Sequence, residues 1–178
     1  MFTLAEPYEE QVRIFLSGQR DLPFSYKEVG ASKDVIPKTY PINHHRIQIG
    51  CGAETFARAK NAVQTWAMYK LEWTRLYPPK VPIGAGESVV VVVNHLFCWS
   101  MNPCRIVYVL EESGAVEKFS FAFGTLPGHS ETGEERFTVE WRRDDDTVWY
   151  ELLAFARPHH ILAKIVRRSC GWCSANLP

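Results

Sequence analysis

Bulky and small residues alternate from Phe119 to Gly124, with Phe119, Phe121 and Phe123 in one phase and Ser120, Ala122 and Gly124 in the other. This period of two predicts a strand with one aromatic face and one face of small side chains. Further strands are predicted over Ser88 to His95, Arg105 to Glu111, Glu117 to Thr125, Arg136 to Arg142 and Thr147 to Ala156. No helical pattern interrupts these runs. Glu112-Ser113-Gly114 and Asp144-Asp145-Asp146 are short turn sequences, so an antiparallel meander is the economical topology. Val89 to Val93 is continuously apolar, which suits a strand covered on both faces. Phe24 to Val29 and His45 to Ile49 alternate in the same way and are read as strands.

Helical spacing surrounds this block. Tyr8, Val12, Phe15 and Leu16 share one face of a short helix from Glu6 to Arg20. From Ala53 to about Tyr77, Phe56, Val63, Trp66, Trp73 and Tyr77 recur at spacings that predict one long amphipathic helix, stopped by Pro78-Pro79. After Pro158, Ile161, Leu162, Ile165 and Val166 predict a last helix with Lys164, Arg167 and Arg168 beside them. The fold class that follows is α+β: a curved antiparallel sheet gripped on its concave face by the long helix and the C-terminal helix. The chain is expected to form a single domain over 1–178, with 169–178 as an irregular tail.

Charge narrows the partners. The 20 basic and 20 acidic residues cancel, leaving no global field for nucleic acid. Glu6, Glu9 and Glu10 stand where an export signal needs positive charge, and the apolar runs are short. The sequence therefore reads as a soluble, cytoplasmic protein with no integral membrane association. Five irregularly spaced cysteines argue for reduced thiols, and Cys170-Gly171-Trp172-Cys173 lacks the partner motif of a zinc or redox site. No cofactor and no metal are expected.

The strings NPCRIVYV (Asn102 to Val109), FAFGTLPGHSETGEERF (Phe121 to Phe137), YKEVG (Tyr26 to Gly30) and AFARP (Ala154 to Pro158), with the tryptophans Trp66 and Trp73, resemble uncharacterised protein family 0548. The resemblance runs from about Tyr8 to about Val166 and implies a helix-grip fold similar to START and birch-pollen-allergen (Bet v 1-like) lipid-binding domains. It implies no established activity, substrate or catalytic residue. The chain departs from the family pattern after Arg168, where SCGWCSANLP replaces a longer basic and apolar stretch.

Candidate chemistry gathers in three groups. His129, Glu131 and Glu134 could act as acid and base or ligate a metal, but their spacing on a glycine-containing loop favours a structural loop. Arg105 opens an apolar strand and needs a partner if buried, for which Glu134 or Glu135 is expected. Phe121, Phe123, Trp141 and Trp149, with Trp66 and Trp73 approaching from the helix, would line a pocket for an apolar ligand, and Arg105, Tyr108, His129 and Glu134 would form its rim. The preferred function is therefore binding of a hydrophobic or amphipathic small molecule between sheet and helix. The alternatives are a hydrolase or cyclase using His129 with Glu131 or Glu134, and a protein-interaction module.

Overall fold

The computed structural model describes residues 1–159. Eight strands form one open antiparallel sheet: β1 (Phe2–Thr3), β2 (Ile42–Cys51), β3 (Thr74–Tyr77), β4 (Ser88–Asn94), β5 (Trp99–Glu112), β6 (Val116–Thr125), β7 (Glu131–Arg142) and β8 (Thr147–Pro158). Their order is β2-β8-β7-β6-β5-β4-β3, and β1 pairs with β5 outside that path. The stretch from β4 to β8 is the expected meander. Two of its strands begin earlier than alternation suggested. Asn102-Pro103 lies inside β5, and the charged residues from Glu131 onward form the first half of β7.

Among the described residues two short α-helices accompany the sheet, α1 (Glu9–Gln19) and α2 (Gly52–Gln64). The helix-grip expectation is overturned here, because no long helix spans Ala53 to Tyr77. The Thr65 side chain turns back to the Asn61 carbonyl at 2.9 Å, and Trp66 adopts a left-handed φ of 57°. A helix cannot continue through that conformation. The Trp66 indole instead donates to the Val81 carbonyl at 2.9 Å, a single 3₁₀ turn follows at Ala67–Tyr69, and Thr74–Tyr77 pairs with Val90–Val93 as an edge strand. The aromatic spacing read as one helical face is thus shared among a helix end, a loop and a strand. The expected helix around Ile161 to Val166 and the tail over 169–178 lie outside the described residues.

Both faces of the sheet are used. On one face Val63, Trp66, Val89, Ile106, Phe119, Phe121, Phe123, Phe137, Val139 and Val148 form the main core, with α2 and the Ala67–Tyr69 turn packed on it. On the other face α1 lays Val12 and Leu16 on Val90, Val92 and Met101. This two-sided cover is why β4 is apolar without a break from Val89 to Val93. Phe24 to Val29 is not a strand; one backbone bond, from Ser25 N–H to Thr125 O at 2.9 Å, joins it to the sheet, and side-chain bonds from Ser25 and Tyr26 add to it. Its alternation serves packing, because Tyr26 meets Phe155 edge-on at 5.9 Å and Tyr40 meets the same ring at 5.3 Å.

Gly133 is the tightest point of this arrangement. Its φ is +151°, and a Cβ there would collide with the Phe155 carbonyl oxygen across the β7–β8 ladder. Gly133→Ala is expected to cost about 2–4 kcal/mol through strain and broken pairing. Equilibrium urea unfolding measures it, and a change below about 0.5 kcal/mol would contradict the close packing described.

Candidate functional site

The residues from Phe121 to Phe137 divide between the two faces, and the division sets out the chemistry. Leu126 to His129 is a turn closed by His129 N–H donating to Leu126 O at 2.9 Å. Beyond it, Glu134 points to one face of β7 and Glu135 to the other, as strand alternation requires. Their surroundings differ in kind.

Glu134 is 2% exposed and saturated with donors. The Tyr26 hydroxyl donates to it at 2.6 Å, the Gly30 and Ser32 backbone N–H groups at 2.7 and 3.0 Å, and the Ser32 hydroxyl as well. Tyr108 donates in turn to the Ser32 hydroxyl at 2.6 Å, and Arg136 donates to the Ser32 carbonyl. Gly124 makes this possible, since a Cβ there would occupy the position of the Tyr26 ring. Burial and the Glu134 charge both push the Tyr26 hydroxyl far up, so it remains a donor. A carboxylate held this way is an anchor, with no lone pair left for a substrate.

Glu135 faces the aromatic core in register with Phe123 and Ala154. Burial pushes its carboxyl up to about 7; the Tyr69 hydroxyl, donating at 3.1 Å, opposes the shift and the Glu131 charge adds to it. Burial, and after it the charge of Glu135, raises Tyr69, Cys104 and Tyr150. Cys104 is therefore a thiol. The Tyr150 hydroxyl is buried without a hydrogen-bond partner, an arrangement that costs about 1–3 kcal/mol. Glu135, Tyr69, Leu152 and Ala154 are half-buried, so this margin of the aromatic face keeps some solvent contact while the Glu135 carboxyl and the Tyr69 hydroxyl are themselves enclosed.

The other predicted residues scatter. Trp66, Phe121, Phe123 and Phe137 pack on one another at centroid separations from 5.2 to 6.4 Å and fill the space under α2. Trp141 lies at the margin of that core, 6.2 Å from Phe56, with its indole N–H on Asp146. Trp149 is on the opposite face between the guanidinium groups of Arg46 and Arg142, at 4.5 and 5.9 Å. Trp73 sits in the loop before β3, where its carbonyl accepts from Asn94 N–H. Arg105 does not pair with Glu134 or Glu135; it donates to the Arg20 and Leu22 carbonyls and lies 5.2 Å from the Phe24 ring. His129 accepts the Glu131 backbone N–H on Nδ1 at 2.8 Å, and burial together with the N-terminal ammonium holds it down to about 3. It is neutral, and it stands on a different residue row from Glu134. Among the described residues, no group of three or more His, Cys, Asp or Glu side chains could hold a metal ion. No helix among the described residues is long and apolar enough to cross a membrane.

Sequence reasoning considered Glu135 only as a partner for Arg105 and passed over Tyr69 and Tyr150. The signal was present: Glu135 is in phase with Phe137, Val139 and Trp141, so alternation alone assigns a carboxylate to the aromatic face.

The family described as a domain of unknown function, DUF1990, matches residues 25–170. A "UPF0548 protein" of Dictyostelium discoideum is 30% identical over 93% of this chain and 85% of its own length. One from Deinococcus radiodurans is 34% identical over 88% and 83%, and one from Arabidopsis thaliana is 35% identical over 68% and 60%. Among solved structures, a hypothetical protein of Helicobacter pylori superposes with a TM-score of 0.50 at 9% identity, covering 73% of this chain and 80% of that one. That likeness is of fold alone.

Glu135 and His129 make opposing contributions to stability against pH. The Glu135 carboxyl is raised from 4.5 to about 7, so between those values the folded chain holds a proton the unfolded chain has released, and stability falls as pH rises. His129 is lowered from 6.5 to about 3, so between those values the unfolded chain binds the extra proton, and stability rises with pH. From about 4.5 to 6.5 the two slopes cancel. Glu135→Gln is expected to uncover the rise and His129→Gln the fall, each by about 1–3 kcal/mol across that window. Chemical denaturation at several pH values measures both, and parallel pH profiles for wild type and variants would refute the assignment.

Proposed function

The chain belongs to the DUF1990 family, whose members here carry the name UPF0548, and we propose that it binds an amphipathic small molecule at the half-buried margin of its aromatic face. The reading is carried by one observation, a carboxyl poised near neutrality on the same sheet face as a buried tyrosine hydroxyl that has no partner. An unsatisfied polar group in an otherwise apolar surface lowers stability, and such groups concentrate where a ligand completes them. The apolar part of the ligand would lie on Leu152, Ala154 and the edges of Phe123 and Phe137, beyond the Ala67–Tyr69 turn. Its polar head would meet Glu135, Tyr69 and Tyr150.

This differs from a pocket roofed by a long helix. Trp66 and Phe121 support the floor from beneath, while Trp141, Trp149, Trp73 and Arg105 lie away from it. Burial of hydrocarbon supplies the affinity, and the head group fixes orientation. Protonated Glu135 and Tyr150 are both donors, so the favoured head is an acceptor such as a carbonyl or an un-ionised carboxyl. Affinity for it falls as pH rises through about 7, because ionised Glu135 can no longer donate.

Single-chain probes with an amide, an acid or a hydrocarbon end test the reading by calorimetric titration, alongside native mass spectrometry of the freshly purified protein. Saturable binding of the amide is expected at pH 6, stronger than that of the acid, which is mostly ionised there, with Tyr150→Phe weakening the amide about tenfold, equivalent to about 1.4 kcal/mol. No binding, or equal binding by wild type and Tyr150→Phe, would overturn it.

A further inference from the structure

The face of the sheet opposite the aromatic core carries a second concavity, and strand register explains it. Tyr108, Ala122 and Arg136 form one row across β5, β6 and β7, while Leu110, Ser120, Thr138 and Glu151 form the next, reaching β8. Lys118 and Glu140 are opposite one another in a third. The centre of this grid holds two small hydroxyl residues, Ser120 and Thr138, bonded to each other at 2.9 Å, and the residues around them are long. A dip of about 110 Å³ results, with Lys33 leaning over it from the Ala31–Lys33 turn.

The walls carry charges of both signs. Glu140 is held by Arg46 at 2.9 Å and by Arg142 at 2.8 Å, and Glu151 is held by Arg136 and Arg46. Glu112 meets Lys118 loosely at 3.5 Å. Lys33 has its ammonium 4.3 Å from the Tyr108 ring centroid and no carboxylate partner among the described residues. The residues lining the dip carry three cations, Lys33, Lys118 and Arg136, against three carboxylates, Glu112, Glu140 and Glu151, and of these six only Lys33 is without an opposite partner among the described residues. The Arg136 Nε–H, at the inner wall, also lacks an acceptor. A cavity floored by hydroxyls, with an unpaired lysine at its rim and an unsatisfied guanidinium donor in its wall, suits a ligand that is both anionic and rich in hydroxyls.

We infer that this dip is a binding site for a small hydroxylated anion, its charge held between Lys33 and Lys118 and its hydroxyls on Ser120 and Thr138. The site is separate from the aromatic face, since the sheet lies between them. Its occupant is limited by volume to a few carbon atoms and one anionic group.

Amide NMR titration with glycerol 3-phosphate tests it, with inorganic phosphate and neutral glycerol in parallel. The expected result is saturable shifts centred on Ser120 and Thr138 with glycerol 3-phosphate, weaker ones with phosphate and none with glycerol. Lys33→Glu, an exposed change that leaves the thermal midpoint in place, is expected to weaken binding at least about tenfold. Ser120→Leu fills the dip and is expected to abolish it. Absence of shifts, shifts centred elsewhere, or unchanged affinity in Lys33→Glu would overturn the inference. Loss at this face with retained amphiphile binding near Glu135, or the reverse, keeps the two sites distinguishable.

Discussion

The Glu134 carboxylate is the constraint from which the rest of the molecule is organised. An ion with 2% exposure survives only if its charge is met, and the donors that meet it come from a segment about one hundred residues earlier in the chain. That single requirement pins the irregular stretch from Phe24 to Lys33 to the sheet. With the segment pinned, Tyr26 and Tyr40 cover Phe155, Ser32 receives Tyr108 and Arg136, and Lys33 is held above the polar dip. A segment with no strand pairing of its own thereby acquires one position.

The neighbouring carboxylate obeys the same physics with the opposite outcome. Glu134 receives four donors, whereas Glu135 receives one from Tyr69 and is surrounded by aromatic carbon. Desolvation then dominates, and the proton is held to about 7. Two adjacent residues of one type thus become an anchor and a titratable group. Strand alternation is the cause, because it sends consecutive side chains to environments on opposite sides of a sheet.

Sequence pattern made the meander legible because each of its strands buries one face, and burial imposes a period that can be read without coordinates. The Phe119–Phe123 alternation and the unbroken apolar run in β4 both carry over directly. What failed was the long helix. Its apolar positions obey helical spacing, but Trp66 takes a left-handed conformation in order to bond Val81, and Thr74–Tyr77 gains more by pairing with β4 than by continuing a helix. Tertiary pairing overrode local period, and no local signal records it. The Arg105 partner was illegible for a related reason, since backbone carbonyls at Arg20 and Leu22 leave no trace in residue identity. The isolated Tyr150 hydroxyl is likewise a property of packing alone.

The geometry of an open sheet bears on function more than the number of its helices does. A sheet closed on one side by a long helix must hold its ligand in the enclosed core, and here that core is filled by Trp66, Phe121, Phe123 and Phe137 packed ring against ring. Dense packing there is what allows the unusual groups to be displaced to the margins. Glu135 lies toward one end of the aromatic face with Tyr150 two rows further in, and the Ser120–Thr138 dip lies behind on the polar face. The strand common to both, β7, is paired on each side from Glu134 to Trp141, so Glu135 and Thr138 stand on rigid backbone. A central strand paired on both sides, with alternating chemistry, can therefore serve two surfaces at once, and the filled core is the mechanical support that keeps both in shape.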